Sequence, residues 1–159
     1  MKTLLVSIAD QTLRLVEDGH TLEAYAVSTA LKGAGEQMGS EQTPRGGHIV
    51  RARIGAGMPA GTVFRGRRPT GEVWTPALHA QFPGRDWILS RILWLSGTEP
   101  GRNRLGRCDS MRRYIYIHGT PDCEPMGVPL SHGCIRMRNS DIIDLFDRVP
   151  AYAPVLIEE

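Results

Sequence analysis

The 159-residue chain predicts a β-rich single domain with one firm helix near its C-terminus. Short apolar or alternating runs recur along it, separated by connections rich in Gly and Pro. Only the segment after residue 138 carries apolar residues at helical spacing. The length suits one domain with a proper core, and 41% hydrophobic content is ordinary for a globular protein. No internal repeat, interdomain linker or low-complexity tail interrupts it, so residues 1–159 read as one unit.

From the N-terminus, residues 3–8 and 12–17 are strand-like, and Asp18-Gly19 is a favourable two-residue hairpin turn. Residues 20–29 continue with alternating polarity. Residues 33–47 hold five Gly and one Pro without an apolar run and read as a loop. Residues 49–54 alternate with Arg51 and Arg53, which predicts a strand with one wet face. The Gly-, Pro- and Arg-rich residues 55–71 read as a long surface loop. Apolar runs return at 73–78 and 87–95, and 96–110 is another polar connection. Residues 114–117 form a strand ending at His118. In the helix, Asn139 or Ser140 is the expected cap, and Ile142, Phe146 and Val149 recur at helical spacing. Asp141, Asp144 and Arg148 suit its dipole, Pro150 ends it, and residues 155–157 form a last strand.

The chemistry concentrates in Ser131-His132-Gly133-Cys134-Ile135-Arg136-Met137 and in His118-Gly119-Thr120 upstream. A cysteine thiolate is a strong nucleophile when a histidine can take its proton. Glycine beside it lets the backbone approach a substrate carbonyl. Together they read as a Cys/His acyl-transfer site. His132 and Cys134 would leave an extended segment on one face, but so short a tether gives poor proton-transfer geometry. His118, sixteen residues away at a strand end, is the expected base. The N–H groups of His132, Gly133 and Cys134 are the expected oxyanion hole, where one donor is worth about 2.7–4 kcal/mol.

At these residues the chain resembles the L,D-transpeptidase catalytic-domain (YkuD-type) family. That signature is a histidine, a loop of a dozen or more residues, then Ser/Thr-His-Gly-Cys, an apolar residue and Arg or Asn. His118 and Ser131-His132-Gly133-Cys134-Ile135-Arg136 fit it, with a loop (119–130) on the short side that opens the mouth of the site. Thr43-Pro44-Arg45-Gly46-Gly47-His48-Ile49 is similar to the family's Thr-Pro-x-Gly turn into a strand. The resemblance covers most of the chain and is strongest at 111–138. It implies a mainly β fold, a β-sandwich or barrel-like sheet with the cysteine on a loop and one short helix after it. It also implies the substrate, the bond between the third residue, usually diaminopimelate, and D-Ala of a peptidoglycan tetrapeptide stem. By the same analogy the Gly119 carbonyl fixes the His118 tautomer. Arg136 is expected to bind a substrate carboxylate or to brace the Cys134 loop, and Ser131 and His132 to line the substrate site. The acyl-enzyme passes to water (L,D-carboxypeptidation) or to an amine (transpeptidation or D-amino acid exchange). No metal or organic cofactor is needed.

A structural zinc site from Cys108, His118, Cys123, His132 and Cys134 is the bland rival, but no two cysteines have Cys-x(2–4)-Cys spacing. Cys108 reads as buried and inert, Cys123 as a loop thiol without a catalytic role, and Asp109 as a turn cap. Gly33-Ala34-Gly35 and Gly55-Ala56-Gly57 complete no phosphate-binding pattern. Net charge is only +2, yet the basic residues are nearly all arginine, as in Arg65-Gly66-Arg67-Arg68 and Arg102-Asn103-Arg104. Such clusters suit carboxylates and phosphates. Aromatic residues do not interleave them, which argues against a nucleic-acid partner and leaves an anionic stem peptide. Residues 3–9 are too short for a signal-peptide core, and cleavage after Ala9 would remove the first strand. No transmembrane helix or lipid anchor is read, so no membrane partner is expected, and the odd cysteine count suits a reducing compartment. The expectation is a cytoplasmic L,D-carboxypeptidase that trims recycled tetrapeptides. The alternatives are a wall-crosslinking L,D-transpeptidase and a non-catalytic fragment-binding domain.

Overall fold

The computed structural model describes residues 1–159. In order come β1 (Lys2–Ser7), β2 (Thr12–Glu17), β3 (His20–Ser28), β4 (Gly46–Ile54), β5 (Thr62–Arg65) and β6 (Arg68–Val73). There follow α1 (Pro76–Gln81), β7 (Ile88–Gly97), β8 (Tyr116–Thr120), β9 (Ile135–Arg138), α2 (Asn139–Arg148) and β10 (Pro154–Glu158). The sheet runs β4-β10-β1-β2-β3-β9-β8-β7, and β4 pairs back onto β7, which closes a β-barrel. The β5-β6 hairpin extends from the N-terminal half of β7. No helix is long and apolar enough to cross a membrane.

Strand alternation gives the site its platform. Ile117 of β8 and Ile135 and Met137 of β9 point into the main core, with Leu4, Leu13, Leu93 and the Ile142, Leu145 and Phe146 stripe of α2. Tyr116 points the other way, into a smaller cluster with Phe64 and Ile92. Burying one such aliphatic side chain contributes about 1.5–3 kcal/mol, so α2 is held mainly by this stripe.

Several elements differ from the sequence reading. The stretch 55–71 holds most of the β5-β6 hairpin, which runs on to Val73 and turns at Gly66 and Arg67 with φ of 55° and 64°. Its composition looks loop-like because β6 is an exposed edge strand, where Pro69 is tolerated. The apolar run at 73–78 breaks at Thr75, whose Oγ1 accepts the Leu78 N–H (3.0 Å), and Pro76 begins α1, a second helix in addition to α2. Neither Asn139 nor Ser140 caps α2; Arg138 is its N-cap without a side-chain bond, and Asn139 is the first helical residue. The His118 strand starts at Tyr116 because Tyr114 takes a left-handed φ of 56°. Cys108 is half-buried, since it lies in a short 3-10 turn on the polar connection and not in an apolar run. Asp109 caps a turn, accepting the Leu105 and Arg112 N–H groups.

His48 of β4 is sealed between the Gly46 carbonyl (Nδ1, 3.0 Å) and Ser110 Oγ (Nε2, 2.8 Å). Burial pushes its pKa down to about 4. A depressed histidine contributes stability that is present above the unfolded value near 6.5 and lost as pH falls toward 4. Between pH 7 and about pH 4.5 this group is expected to cost the fold about 2–3 kcal/mol. Urea unfolding of wild type beside His48→Gln checks it, the variant showing the shallower loss.

Candidate active site

β8 and β9 run parallel, with Ile117 opposite Ile135 and His118 opposite Arg136. That register sets His118 and Arg136 side by side, and Cys134 enters just before β9, packed on the Tyr116 cluster. A cavity of about 530 Å³ opens there, lined by His118, Ser131, His132, Cys134 and Arg136 together with Asp86 and Arg113.

The nucleophile turn is built from its own hydrogen bonds. Gly133 takes φ 129°, a region that favours glycine, so residues 131–134 are a tight bend and not the extended segment expected. Ser131 Oγ donates to the Cys134 carbonyl (2.5 Å) and accepts the Gly133 N–H (3.2 Å). Thr43 Oγ1 donates to the Gly133 carbonyl (2.9 Å) and accepts the Ala30 N–H (3.0 Å), which explains the Thr-Pro segment far upstream. The Ser131 hydroxyl thus organises the bend, although the residue lines the cavity. The Gly133 N–H is already committed, which removes it from the expected trio of oxyanion donors. His132 swings outward, 62% exposed, with Nδ1 3.7 Å from Asp86 Oδ2.

Arg136 donates through Nη2 to Asp86 Oδ1 (3.1 Å) and through Nη1 to the Leu130 carbonyl (3.4 Å), so it braces the loop before Cys134. The Cys134 thiol donates to the Tyr114 carbonyl (3.4 Å) and accepts the Tyr116 N–H (3.3 Å). Burial pushes it up to about 12, against the pull of the Tyr116 N–H and the Arg136 and Arg113 charges. The resting thiol is therefore protonated. His118 is buried, and burial holds its pKa below the ordinary value despite the nearby Asp86 charge. Its Nδ1 lies 2.6 Å from the Gly119 carbonyl. A carbonyl can only accept, so Nδ1 carries the proton and Nε2 the lone pair. No hydrogen bond joins His118 to Cys134 at rest; they share the cavity.

Asn139 ties this platform together. Its Nδ2 donates to the Thr120 carbonyl (3.0 Å) and Asp122 Oδ1 (3.2 Å), and its Oδ1 accepts from Ser90 Oγ (2.6 Å). A Cβ at Gly119 would sit 2.5 Å from Asn139 Oδ1 and from the Leu89 carbonyl, so only glycine fits there. Asn139→Ala strands these buried groups and is expected to cost about 1–3 kcal/mol, seen as a lowered thermal midpoint.

Sequence reasoning missed Asp86, Arg67, Arg113 and Tyr116 as cavity residues. Arg67 donates to the Tyr116 hydroxyl (2.9 Å) and stacks 4.6 Å over Trp94. The run Arg65-Gly66-Arg67-Arg68 was the one signal for it. Cys108, Cys123 and Cys134 are free thiols, and no three His, Cys, Asp or Glu side chains converge as metal ligands.

The profile of the L,D-transpeptidase catalytic domain (YkuD) matches residues 1–157. The probable L,D-transpeptidase YbiS of Escherichia coli K12 is 34% identical over 87 residues, 53% of this chain and 27% of that protein. L,D-transpeptidase 3 from Mycobacterium tuberculosis, solved with a faropenem-derived adduct, superposes with a TM-score of 0.60 at 17% identity. That match covers 99% of this chain and 60% of the solved one. An L,D-transpeptidase from Mycobacterium smegmatis gives a TM-score of 0.57 at 16% identity, over 99% of this chain and 58% of that one. The chain thus spans about a quarter of the curated relative and about three fifths of the solved structures. With the barrel, His118 on β8, Cys134 just before β9 and a profile running nearly end to end, this chain belongs to the L,D-transpeptidase catalytic-domain family.

Proposed function

We propose that the protein is a cysteine acyltransferase that opens the L,D bond of peptidoglycan tetrapeptide stems through a Cys134 thioester. The observation that carries this is the Nδ1 bond from His118 to the Gly119 carbonyl, which leaves Nε2 as a base in the cavity that Cys134 lines. The proton leaves Sγ for Nε2 as sulfur attacks the peptide carbonyl. The oxyanion gathers at the His132 and Cys134 N–H groups, as the Gly133 N–H is held by Ser131. Collapse expels the D-Ala amine, which takes the proton back from Nε2. Water then attacks the thioester, giving up a proton to His118, and tripeptide and thiol are released.

Arginines 67, 113 and 136 around the cavity favour an anionic stem. We favour water as the acceptor, an L,D-carboxypeptidase in murein recycling, over an amine-using transpeptidase, because a reducing, cytoplasmic setting offers recycled tetrapeptides and no polymeric wall to crosslink. Three free thiols, Cys123 among them exposed, support a reducing, cytoplasmic setting. The faropenem-derived adduct on one mycobacterial structure and the imipenem complex of another L,D-transpeptidase make slow labelling of Cys134 by penem- and carbapenem-type β-lactams a further expectation, absent in Cys134→Ala.

The test is free tetrapeptide with excess D-methionine, with products read by mass spectrometry. Tripeptide and D-Ala alone identify the carboxypeptidase. Exchange of D-methionine into the tetrapeptide identifies the transpeptidase and overturns the water reading. No turnover overturns the catalytic reading and leaves a fragment-binding domain.

A further inference from the structure

We infer that Asp86 is the subsite for a primary ammonium group on the substrate. This rests on the acyl-transfer reading of Cys134. Asp86, two residues before β7, is the only acid among the residues lining the cavity, facing Arg67, Arg113 and Arg136. Its two oxygens are unequally used. Oδ1 accepts from Arg136 at 3.1 Å, whereas Oδ2 has only His132 Nδ1 at 3.7 Å, beyond hydrogen-bond length. The side chain is 47% exposed, so a charged acceptor stands half-open at the site. Burial pushes its carboxyl up, but His118 when protonated, and the Arg136 guanidinium and its hydrogen bond at any pH, draw it below the usual range, and the Arg136 contact keeps it ionised beside a neutral His118.

The charges lie at two levels of one face. Arg67 is bonded to Tyr116, level with Cys134, and Asp86 is bonded to Arg136, level with His118. One pleat, about 6.6 Å, separates the levels. Arg113 spends its guanidinium on the Gly35 and Gln42 carbonyls, so Arg67 is the cation freer to meet a ligand. A peptide laid past Cys134 therefore meets a guanidinium at one end and a free carboxylate oxygen at the other. That polarity matches a substrate carrying both a carboxylate and an ammonium.

The ammonium has two sources: the side chain of the donor peptide, or the amine of an acceptor. Cys134→Ala, which cannot turn over, is titrated by calorimetry with tetrapeptide bearing lysine or Nε-acetyl-lysine at the third position. Acetylation is expected to weaken binding about 10-fold, and less than about 2-fold once Asp86→Asn is added. In parallel, the share of acyl-enzyme captured by D-methionine is compared between wild type and Asp86→Asn. An effect confined to binding puts the ammonium on the donor; one confined to capture puts it on the acceptor. No binding, or equal binding of both peptides with equal capture, overturns the inference. Selective binding of the free amine without wild-type turnover upholds the subsite and overturns the acyl-transfer reading. Should Asp86→Asn not fold, Asp86→Glu replaces it in both arms: equal affinities together with equal capture overturn the subsite.

Discussion

Cys134→Ala is expected to lower kcat/KM on the tetrapeptide by at least about 10⁴-fold, because nothing else in the cavity can form the thioester. Ser131 lines the same cavity, but its hydroxyl is held by the Cys134 carbonyl and the Gly133 N–H. Cys123 lies instead in a separate cleft with Trp74 and His79. The fold should barely notice, since the thiol makes only two weak hydrogen bonds, to Tyr114 and Tyr116. The thermal midpoint is therefore expected to stay within the shift that about 1 kcal/mol produces. Lost activity with an unchanged midpoint separates chemistry from folding.

His118→Gln is expected to cost about 10²–10⁴-fold in kcat/KM, the usual worth of a positioned general base. Glutamine can still donate to the Gly119 carbonyl, which isolates the missing basic nitrogen. The pH profile carries the sharper test. Burial lowers the His118 pKa, so the neutral base dominates at pH 7 and activity falls only as pH drops below the ordinary histidine value. The Cys134 thiol, pushed to about 12, gives no second limb through the neutral and mildly alkaline range. Wild type should rise through an acid limb below about pH 6.5 and then stay flat, and His118→Gln should lack the limb. A limb centred above pH 7 in wild type would contradict a buried neutral imidazole.

What could be read from the chain beforehand was what depends on neighbours in sequence. The Asp18-Gly19 turn is local, and both residues take positive φ, 52° and 79°. His118 and Cys134 stand in short motifs whose chemistry needs no tertiary knowledge. Ser131 shows the limit of that reading, since one left-handed glycine, Gly133, decides that its hydroxyl turns inward. Asp86 was invisible because its partner Arg136 is fifty residues away, and Arg67 because Tyr116 is forty-nine away. Barrel closure likewise depends on β4 meeting β7, a pairing no window of sequence contains. The β5-β6 hairpin was hidden for another reason: an exposed edge strand has little apolar face to show.

The most direct test of the account is a search for the thioester itself. Wild-type protein is mixed with tetrapeptide, quenched in acid and digested at arginine. Cleavage after Arg113 and Arg136 yields one peptide, residues 114–136, containing both Cys123 and Cys134. Fragmentation then tells which sulfur carries the acyl group. A tripeptidyl adduct on Cys134, gone in Cys134→Ala, is the predicted result. An adduct on Cys123, or turnover undiminished in Cys134→Ala, would contradict it.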